Sequence, residues 1–472
     1  MNDVMNLSLK QMHQWLPGSR LVGDPEQTVF RVHTDSRSVK PGDLFMALRG
    51  ERFDAHDFLP QLNALGVKVA IAEKGLAQAG LMGLELDNTQ QALGALAHAW
   101  RMQFNMPVIA VTGSNGKTTV TQMLASIMQA WQGAHALATQ GNFNNEIGLP
   151  LTLLRMRAHH RVAVLELGMN HPGEIARLAI WAAPTVALVN NAQREHQEFM
   201  QSVQAVAEEN GAVFKALPAD GVAVFPASDQ HQSVWRQFAA HLRVMDFGLP
   251  DSAVYVSQAT WTNAQWQLRM QTPVGELNTT LNVAGQHNVH NAMAACACAV
   301  AVGVPLSLIA QGLAQFQAVN GRSRSLAMTW AGHAITLIDD SYNANPDSVR
   351  SAIELLAHAH GPRLLVLGDM GEVGDQGPVF HAEVGRYAQA LGIDKVFTLG
   401  ELSVHTAQAC QGAQHFTDME SLTKAIKQVL PQMGTVLVKG SRFMRMERVV
   451  QALQSEQENQ AAQLPHKEAT CC

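Results

Sequence analysis

The run Val111–Thr119 (VTGSNGKTT) constrains this chain more than any other segment. It follows a short apolar stretch, Pro107–Val111, that reads as a buried strand, and it leads straight into a helical pattern. Gly113 and Gly116 let the backbone turn tightly and approach a ligand with no Cβ in the way. The N-terminus of the following helix offers free N–H groups and the positive end of a dipole to an anion. Lys117 then supplies a cation for β- and γ-phosphates, and Thr118 a hydroxyl for Mg²⁺. The spacing departs from a full Walker A pattern, which places a glycine where Val111 stands.

The rest of the chain supplies the frame this loop needs. Strand patterns at Val162–Leu167, Thr185–Asn190 and Val222–Phe225 alternate with helical ones, and a long helix is expected over Asn288–Val302. Such alternation implies a mostly parallel sheet covered on both faces. Before it, Phe30–Thr34, Asp43–Leu48 and Val67–Ala72 read as strands of a smaller unit. This unit is closed by the turn at Asp87–Thr89, which caps a helix over Gln90–Gln103. After Val319 the alternation restarts: strands at Ile335–Asp339, Leu364–Leu367, Lys395–Leu399 and Val436–Val438, helices at Ser348–His358, Val379–Leu391 and Met419–Val429. The chain has 472 residues, room for about three domains. The expected architecture is α/β in three domains. Residues 1–87 form a small α/β unit, 88–318 a central parallel-sheet ATPase of the phosphate-loop type, and 319–457 a Rossmann-like unit. A polar, frayed tail is expected over 458–472.

Several function classes are disfavoured. The net charge of −6 argues against a nucleic-acid surface. The longest uncharged apolar stretch, Ala292–Leu306, is short of the ~20 residues of a membrane span and holds Gly303 and Pro305. The first residues carry an early acid and no basic-then-apolar pattern, so no secretory leader is expected. Of the five cysteines, Cys296 and Cys298 fall on different faces of a helix with no histidine to complete a metal pattern; free thiols in a reducing cytosol are expected. Gly368, Gly371 and Gly374 do not make the dinucleotide fingerprint, so no nicotinamide or flavin site is expected.

Polar residues gather at strand ends. Glu166 closes an apolar strand, where an unpaired carboxylate is costly to bury; a metal ion would resolve that cost. In open α/β sheets ligands bind beyond the carboxyl ends of strands, which is also where Asn190, Asn191 and His196 follow the next strand. Gly141–Asn145 is a polar loop expected on the same face. Gly285–Asn288 opens a helix and reads as a cap or an anion site. Asp339 and Asp340 end a strand of the last unit and suit ribose hydroxyls or a lysine. Lys439 and Arg442 present two cations to the same edge.

Taken together, these motifs resemble the Mur ligase family, which makes the peptide of bacterial cell-wall precursors, from about Thr34 to Glu447. In the first unit, Thr34–Arg37 (TDSR), Gly42–Phe45 and Ala47–Gly50 are similar to its uridine-binding region, which implies Asp35, Ser36 and Arg37 as contacts for a UDP-linked substrate. The resemblance implies ATP held by Gly113, Ser114, Asn115, Gly116, Lys117, Thr118 and Thr119, with Asn288, Arg322 and Asp339 on the base, junction and ribose sides. It implies Mg²⁺ held by Thr118 and Glu166, and Lys117, Glu166 and His196 as the catalytic set. Tyr342–Pro346, Gly368–Glu372 and Val438–Arg442 with Met446 and Glu447 resemble the branch that joins D-alanyl-D-alanine to UDP-N-acetylmuramoyl-tripeptide through an acyl phosphate. Asn343 and Asn345 are guesses for the amino-substrate contacts. The Asp-Asn-Pro-Arg motif of the diaminopimelate-adding branch is absent. A cytoplasmic monomer is expected, acting on small molecules, with no nucleic-acid partner and no membrane insertion.

One departure stands out. The family usually has a lysine, carbamylated in use, in the helix after the histidine loop. Here Asn210 stands at that position and cannot carry a carbamate. The expectation is that Glu208 or Glu209 brings the missing negative charge to a second Mg²⁺. Two other readings stay open on sequence alone: a relative that adds a single amino acid (or glutamate to folate, which the uridine-type motifs argue against), and a nucleotide-binding homologue without catalysis, for which Asn210 is the only support.

Overall fold

A computed structural model of the chain describes residues 4–50 and 53–463. The central sheet has six parallel strands, in the order Arg243–Phe247, Val222–Pro226, Val186–Val189, Val108–Thr112, Val162–Glu166, Ala136–Ala138. These strands read as unbroken apolar runs because both faces are covered. On one face the helices Lys117–Gln132, Gln286–Ala301 and Leu306–Gln315 close a core of Ile109, Val120, Leu124, Ile127 and Cys296. On the other, Thr89–Arg101 and Glu174–Ala182 pack over Ala110, Leu165 and Leu178. From Val108–Thr112 the chain first builds outward on one side, through Ala136–Ala138 and Val162–Glu166, and then on the other. The crevice at the end of Val108–Thr112 is therefore a topological switch point, the place where such sheets bind ligands.

The first unit is a five-stranded sheet in the order Arg20–Val22, Met82–Glu85, Val69–Ala72, Asp43–Met46, Arg31–His33. Its apolar face, including Leu44, Ile71 and Leu84, is continuous with the core of the central unit. The last sheet runs Arg324–Trp330, His333–Asp340, Thr435–Lys439, Arg363–Gly368, Lys395–Leu399, Gln414–Phe416 and is parallel except for its first strand. Its two faces are closed by clusters of its own. Among the described residues, no apolar cluster spans this unit and the central one.

The structure adds edge strands such as Ala136–Ala138, Arg243–Phe247 and Arg324–Trp330 to the expected ones, and it differs at two further places. An antiparallel sheet of Tyr255–Thr262, Gln265–Thr272 and Gly275–Leu281 lies between the central strands and the long helix. Its first hairpin turns on Asn263 and Ala264 with φ of 51° and 58°. A turn with both central residues at positive φ is signalled by Asn-Gly, and alanine there hides the signal. At the other end the chain does not fray at 457: the helix Glu447–Gln463 runs past it, with Val449, Val450 and Leu453 buried and Glu456 paired to Lys427 at 2.9 Å. The remainder of the expected tail, with Cys471 and Cys472, lies outside the described residues. Cys296, Cys298 and Cys410 are free and buried, and burial pushes the Cys296 thiol up to about 12.

Candidate active site

The loop after Val108–Thr112 is shaped by neighbours as much as by its own sequence. Gly116 has φ 83°, and a Cβ there would lie 2.5 Å from Asn291 Oδ1 and 2.6 Å from Asn190 Nδ2. Only glycine fits that approach. Behind the loop runs a chain of amides: Asn291 Nδ2 donates to Asn288 Oδ1 (3.0 Å), and Asn190 Nδ2 donates to Asn291 Oδ1 (2.9 Å) and to Asn115 O (2.8 Å). Asn288 itself is buried and donates to Ala284 O, so it backs the loop and ties the helix start to the chain before it.

Two cavities open on this loop. The larger, of about 770 Å³, is lined by Lys117, Thr118, Asn144, Glu166, Glu195 and His196 from the central unit. Arg322, Tyr342, Asn343, Lys439 and Arg442 line it from the last unit. The smaller, of about 350 Å³, is lined by Thr119, Asn191, His287, Asn288, Asn291 and Asp340. Asn115, Gly116, Arg322, Ser348 and Lys439 belong to both walls. Together the two offer a bipartite site, each half lined by residues of both domains.

The acids and cations have distinct environments. Glu166 is 2% exposed; its Oε1 accepts from Asn144 Nδ2 (2.7 Å) and Thr118 Oγ1 (3.2 Å), while its Oε2 is buried with no hydrogen-bond partner. Glu195, which the sequence reading did not single out, is 5% exposed and has Oε2 3.2 Å from Lys117 Nζ and an unpartnered Oε1. Lys117 also folds back onto the carbonyls of Gly113 and Ser114. Glu166, Glu195 and Thr118 all line the larger cavity and make an oxygen-only donor set, which suits Mg²⁺; that ion needs only one or two carboxylates when phosphates and water complete its shell. Among the described residues, no cluster of three or more acids, histidines or cysteines makes a self-sufficient metal cage.

His196 has φ 49° and Glu372 has φ 57°. These left-handed, non-glycine residues face each other across the domain boundary. His196 Nδ1 lies 2.7 Å from Glu372 Oε2, close enough to pair though off the line of a well-formed hydrogen bond. The imidazole holds the Glu372 carboxyl below the ordinary glutamate range. Arg322 stacks on Tyr342 at 4.2 Å and reaches Thr118 Oγ1 at 3.5 Å, so a cation of the last unit touches the phosphate loop. His287 and His290 are held neutral by burial.

The structure brings only some of the expected site residues to the two cavities. Asp339 lines neither cavity: its oxygens accept from Gly321 N, Ser341 N and Ser341 Oγ, which ties down the strand end, and its neighbour Asp340 faces the smaller cavity while paired to Lys439 at 2.6 Å. Asn345 lines the larger cavity, where it caps a helix through Ser348 N and contacts Asn115 Oδ1 (2.9 Å). Asn343 lines the larger cavity, its Oδ1 accepting from Ala344 N. Asp35, Ser36 and Arg37 lie in the first unit outside both cavities, with Asp35 and Arg37 paired to each other at 2.8 Å.

The expected stand-ins for a carbamate, Glu208 and Glu209, lie away from the larger cavity. Glu209 caps the helix Glu174–Ala182 through Gly173 N (2.8 Å) and Ile175 N (2.9 Å), and Glu208 accepts from Gln204 at the surface. Asn210 is buried and accepts from Thr112 Oγ1 (2.6 Å) and Gly113 N (2.9 Å). None of the three lines the larger cavity, so the residues present do not fit a carbamate-held second metal.

Comparison with known proteins follows this geometry. Residues 28–101 match the Mur ligase family catalytic domain, 111–299 the Mur ligase middle domain, and 327–442 the Mur ligase glutamate ligase domain. The chain is 39% identical over 456 residues to UDP-N-acetylmuramoyl-tripeptide--D-alanyl-D-alanine ligase of Escherichia coli, covering 96% of this chain and 99% of that one. It is 33% identical over 459 residues to the protein of that name in Bacillus subtilis, covering 94% and 98%. The crystal structure of MurF from Acinetobacter baumannii superposes with a TM-score of 0.89 at 34% identity, over 96% of this chain and all of that one. MurF ligase from Thermotoga maritima in complex with ADP gives 0.81 at 25% identity, over 91% and 98%.

Proposed function

Because this chain belongs to the Mur ligase family, we infer that it is an ATP-dependent ligase that joins D-alanyl-D-alanine to UDP-N-acetylmuramoyl-tripeptide in the synthesis of peptidoglycan precursors. The observation that carries this is likeness along nearly the whole length to ligases of that name, in a chain that keeps the phosphate loop and its buried carboxylates.

The chemistry has two displacements. A carboxylate oxygen of the tripeptide attacks the γ-phosphorus of ATP, the bond to the β-phosphate oxygen breaks, and ADP leaves. The amine of D-alanyl-D-alanine then attacks the acyl carbon, the carbon–oxygen bond to phosphate breaks, and phosphate and a proton depart. The first barrier is electrostatic, since an anion must approach an anion. Lys117 swings from the loop carbonyls and Glu195 to the β- and γ-phosphates, and Arg322 adds a second cation from the last unit. Thr118, Glu166 and Glu195 supply the oxygens that would hold Mg²⁺, which when bound screens the phosphate charge. The nucleotide base belongs in the smaller cavity beside Asn288 and Asn291, and the acyl and amino substrates in the larger one. No helix among the described residues is long and apolar enough to cross a membrane; we place the reaction in the cytoplasm, on small soluble substrates, with the chain acting as a monomer.

The test is phosphate release from Mg·ATP with UDP-N-acetylmuramoyl-tripeptide, with D-alanyl-D-alanine against single amino acids. Release that needs the dipeptide, with a product heavier by its residue mass, is expected. ATP binding with no release for any amine would instead favour a non-catalytic homologue.

A further inference from the structure

The loop after Val186–Val189 carries Glu195 and His196 into the larger cavity. On one side it is tied to the phosphate loop: Gln193 N donates to Ser114 Oγ (2.8 Å), and Asn115 Nδ2 donates to Gln193 Oε1 (2.6 Å). On the other side every guanidinium nitrogen of Arg194 is taken by the last unit. Nε and Nη2 reach Asp347 Oδ1 at 3.1 and 2.6 Å, and Nη1 and Nη2 reach Glu383 at 2.8 and 3.1 Å. The backbone N of Arg194 also donates to Asp347 Oδ2 at 2.8 Å, so the main chain is gripped as well as the side chain. Phe380 lies 5.3 Å from the guanidinium, and Arg350 binds the same Glu383 at 3.0 Å.

The two units otherwise meet through polar contacts, among them His196 with Glu372 and Glu198 N with Glu372 O. No apolar cluster crosses the boundary among the described residues, so closure depends on polar contacts such as Asn345 with Asn115 and Arg322 with Thr118. A bidentate arginine–carboxylate pair is the strongest and most directional contact of this kind. Arg194 and Asp347 are each only 22% exposed, which limits screening. Asp347 stands in the first turn of the helix that Asn345 caps, so one short segment engages both the phosphate loop and Arg194.

We propose that Arg194 is a positioning residue: it latches the last unit onto the loop of Glu195 and His196, so that domain closure and the placing of these two side chains are one event. The proposal rests on the ligase reading for its kinetic consequence only; closure itself can be followed without turnover.

The experiment compares the full-length chain with Arg194→Met, which keeps the stem and removes the charge, and with Glu383→Gln on the opposite side. Small-angle scattering with and without ATP reads closure whether or not the ligase reaction occurs. Wild-type protein is expected to become more compact with ATP and Arg194→Met to stay extended, with an unchanged melting temperature. In the phosphate-release assay Arg194→Met is expected to raise KM for ATP roughly tenfold and to flatten its dependence on salt. The double variant is expected to close no less than Arg194→Met alone, because Glu383 acts across the boundary through Arg194 and its bond to Arg350 lies within the last unit. An Arg194→Met protein that compacts like wild type and keeps its KM and salt dependence would overturn the latch. A wild type that compacts with ATP but releases no phosphate would overturn the ligase reading and leave the latch standing.

Discussion

Asn210 Oδ1 accepts a hydrogen bond from Thr112 Oγ1 at 2.6 Å and another from Gly113 N at 2.9 Å, while Asn210 Nδ2 donates to Val206 O at 3.1 Å. The position where the family resemblance calls for a modified lysine is thus used to pin the root of the phosphate loop. Both sides of the amide are consumed, and it has nothing left to offer a metal.

Asn210→Ala leaves a buried hydroxyl and a buried N–H without an acceptor, which costs about 1–3 kcal/mol per group. The expected result is a lower melting temperature together with a raised KM for ATP. Asn210→Lys should be worse, since it points a cation at two donors in a buried site. Restored stability and bicarbonate-dependent activity in the lysine variant would sink this account. The unmodified chain is expected to be indifferent to added bicarbonate.

Glu166→Gln keeps the shape that accepts from Asn144 but removes the charge of the orphaned oxygen. Phosphate release is expected to fall roughly 10²–10³-fold, the scale on which a lost electrostatic contact acts in a transition state. ATP binding measured without Mg²⁺ should change little. An equal loss of binding with and without the ion would assign Glu166 a structural role instead.

Gly116→Ala meets two obstacles, a backbone φ of 83° and contacts of 2.5 and 2.6 Å to the amides of Asn291 and Asn190. These amides are interlocked and cannot retreat without breaking bonds to Asn115 and Asn288. Loss of ATP binding in a chain that still folds is expected by calorimetry. Retained affinity would show that the amide chain is softer than its contacts suggest.

Stability should fall on mild acidification. His381 accepts from Met370 N at Nε2 (3.0 Å), and its Nδ1 lies 2.7 Å from Gly377 O, an arrangement only the neutral ring can make. Burial lowers the proton affinity of His381, His287 and His290 below that of a free histidine. Below pH about 6.5 the unfolded chain takes up protons that the folded one refuses, so stability drops as pH falls, by at most ~1.4 kcal/mol per pH unit per group. Above that pH these groups are neutral in both states and contribute nothing. Urea titrations at pH 7.5 and 5.5 should show the loss, and His381→Gln should lessen it. Equal stability at both pH values would contradict it.

The Arg194 latch should also weaken in acid. The Arg194 guanidinium holds the Glu383 carboxyl below the ordinary glutamate range, so the pair is at full strength above that range and is lost as pH falls through the lower folded value. Nucleotide-driven compaction, followed by scattering, should therefore persist at pH 5 and fail only well below about pH 4. Loss of compaction by pH 5 would point to another titrating group.

The amino-acid order by itself determined the parts that depend on local rules. The phosphate loop was legible because Gly113, Gly116 and Lys117 lie between a buried strand and a helix, and its anion chemistry follows from backbone geometry alone. Glu166 was legible because a carboxylate at the end of the apolar run Val162–Leu167 has to be paired or metal-bound. Parallel strands buried on both faces announced themselves as apolar runs, whereas the hairpin at Asn263–Ala264 did not, since its turn lacks the glycine that marks such geometry. The tertiary structure alone decided which polar side chains face the cavities. Asp339 and Asp340 are adjacent, yet strand alternation turns one into the domain and the other toward the site. Glu195 and Arg194 carry no motif; they matter because the loop that holds them is clasped between the phosphate loop and Asp347, 153 residues further along the chain. Such pairings join residues distant in sequence through the packing of whole domains, and no spacing rule along one chain encodes them.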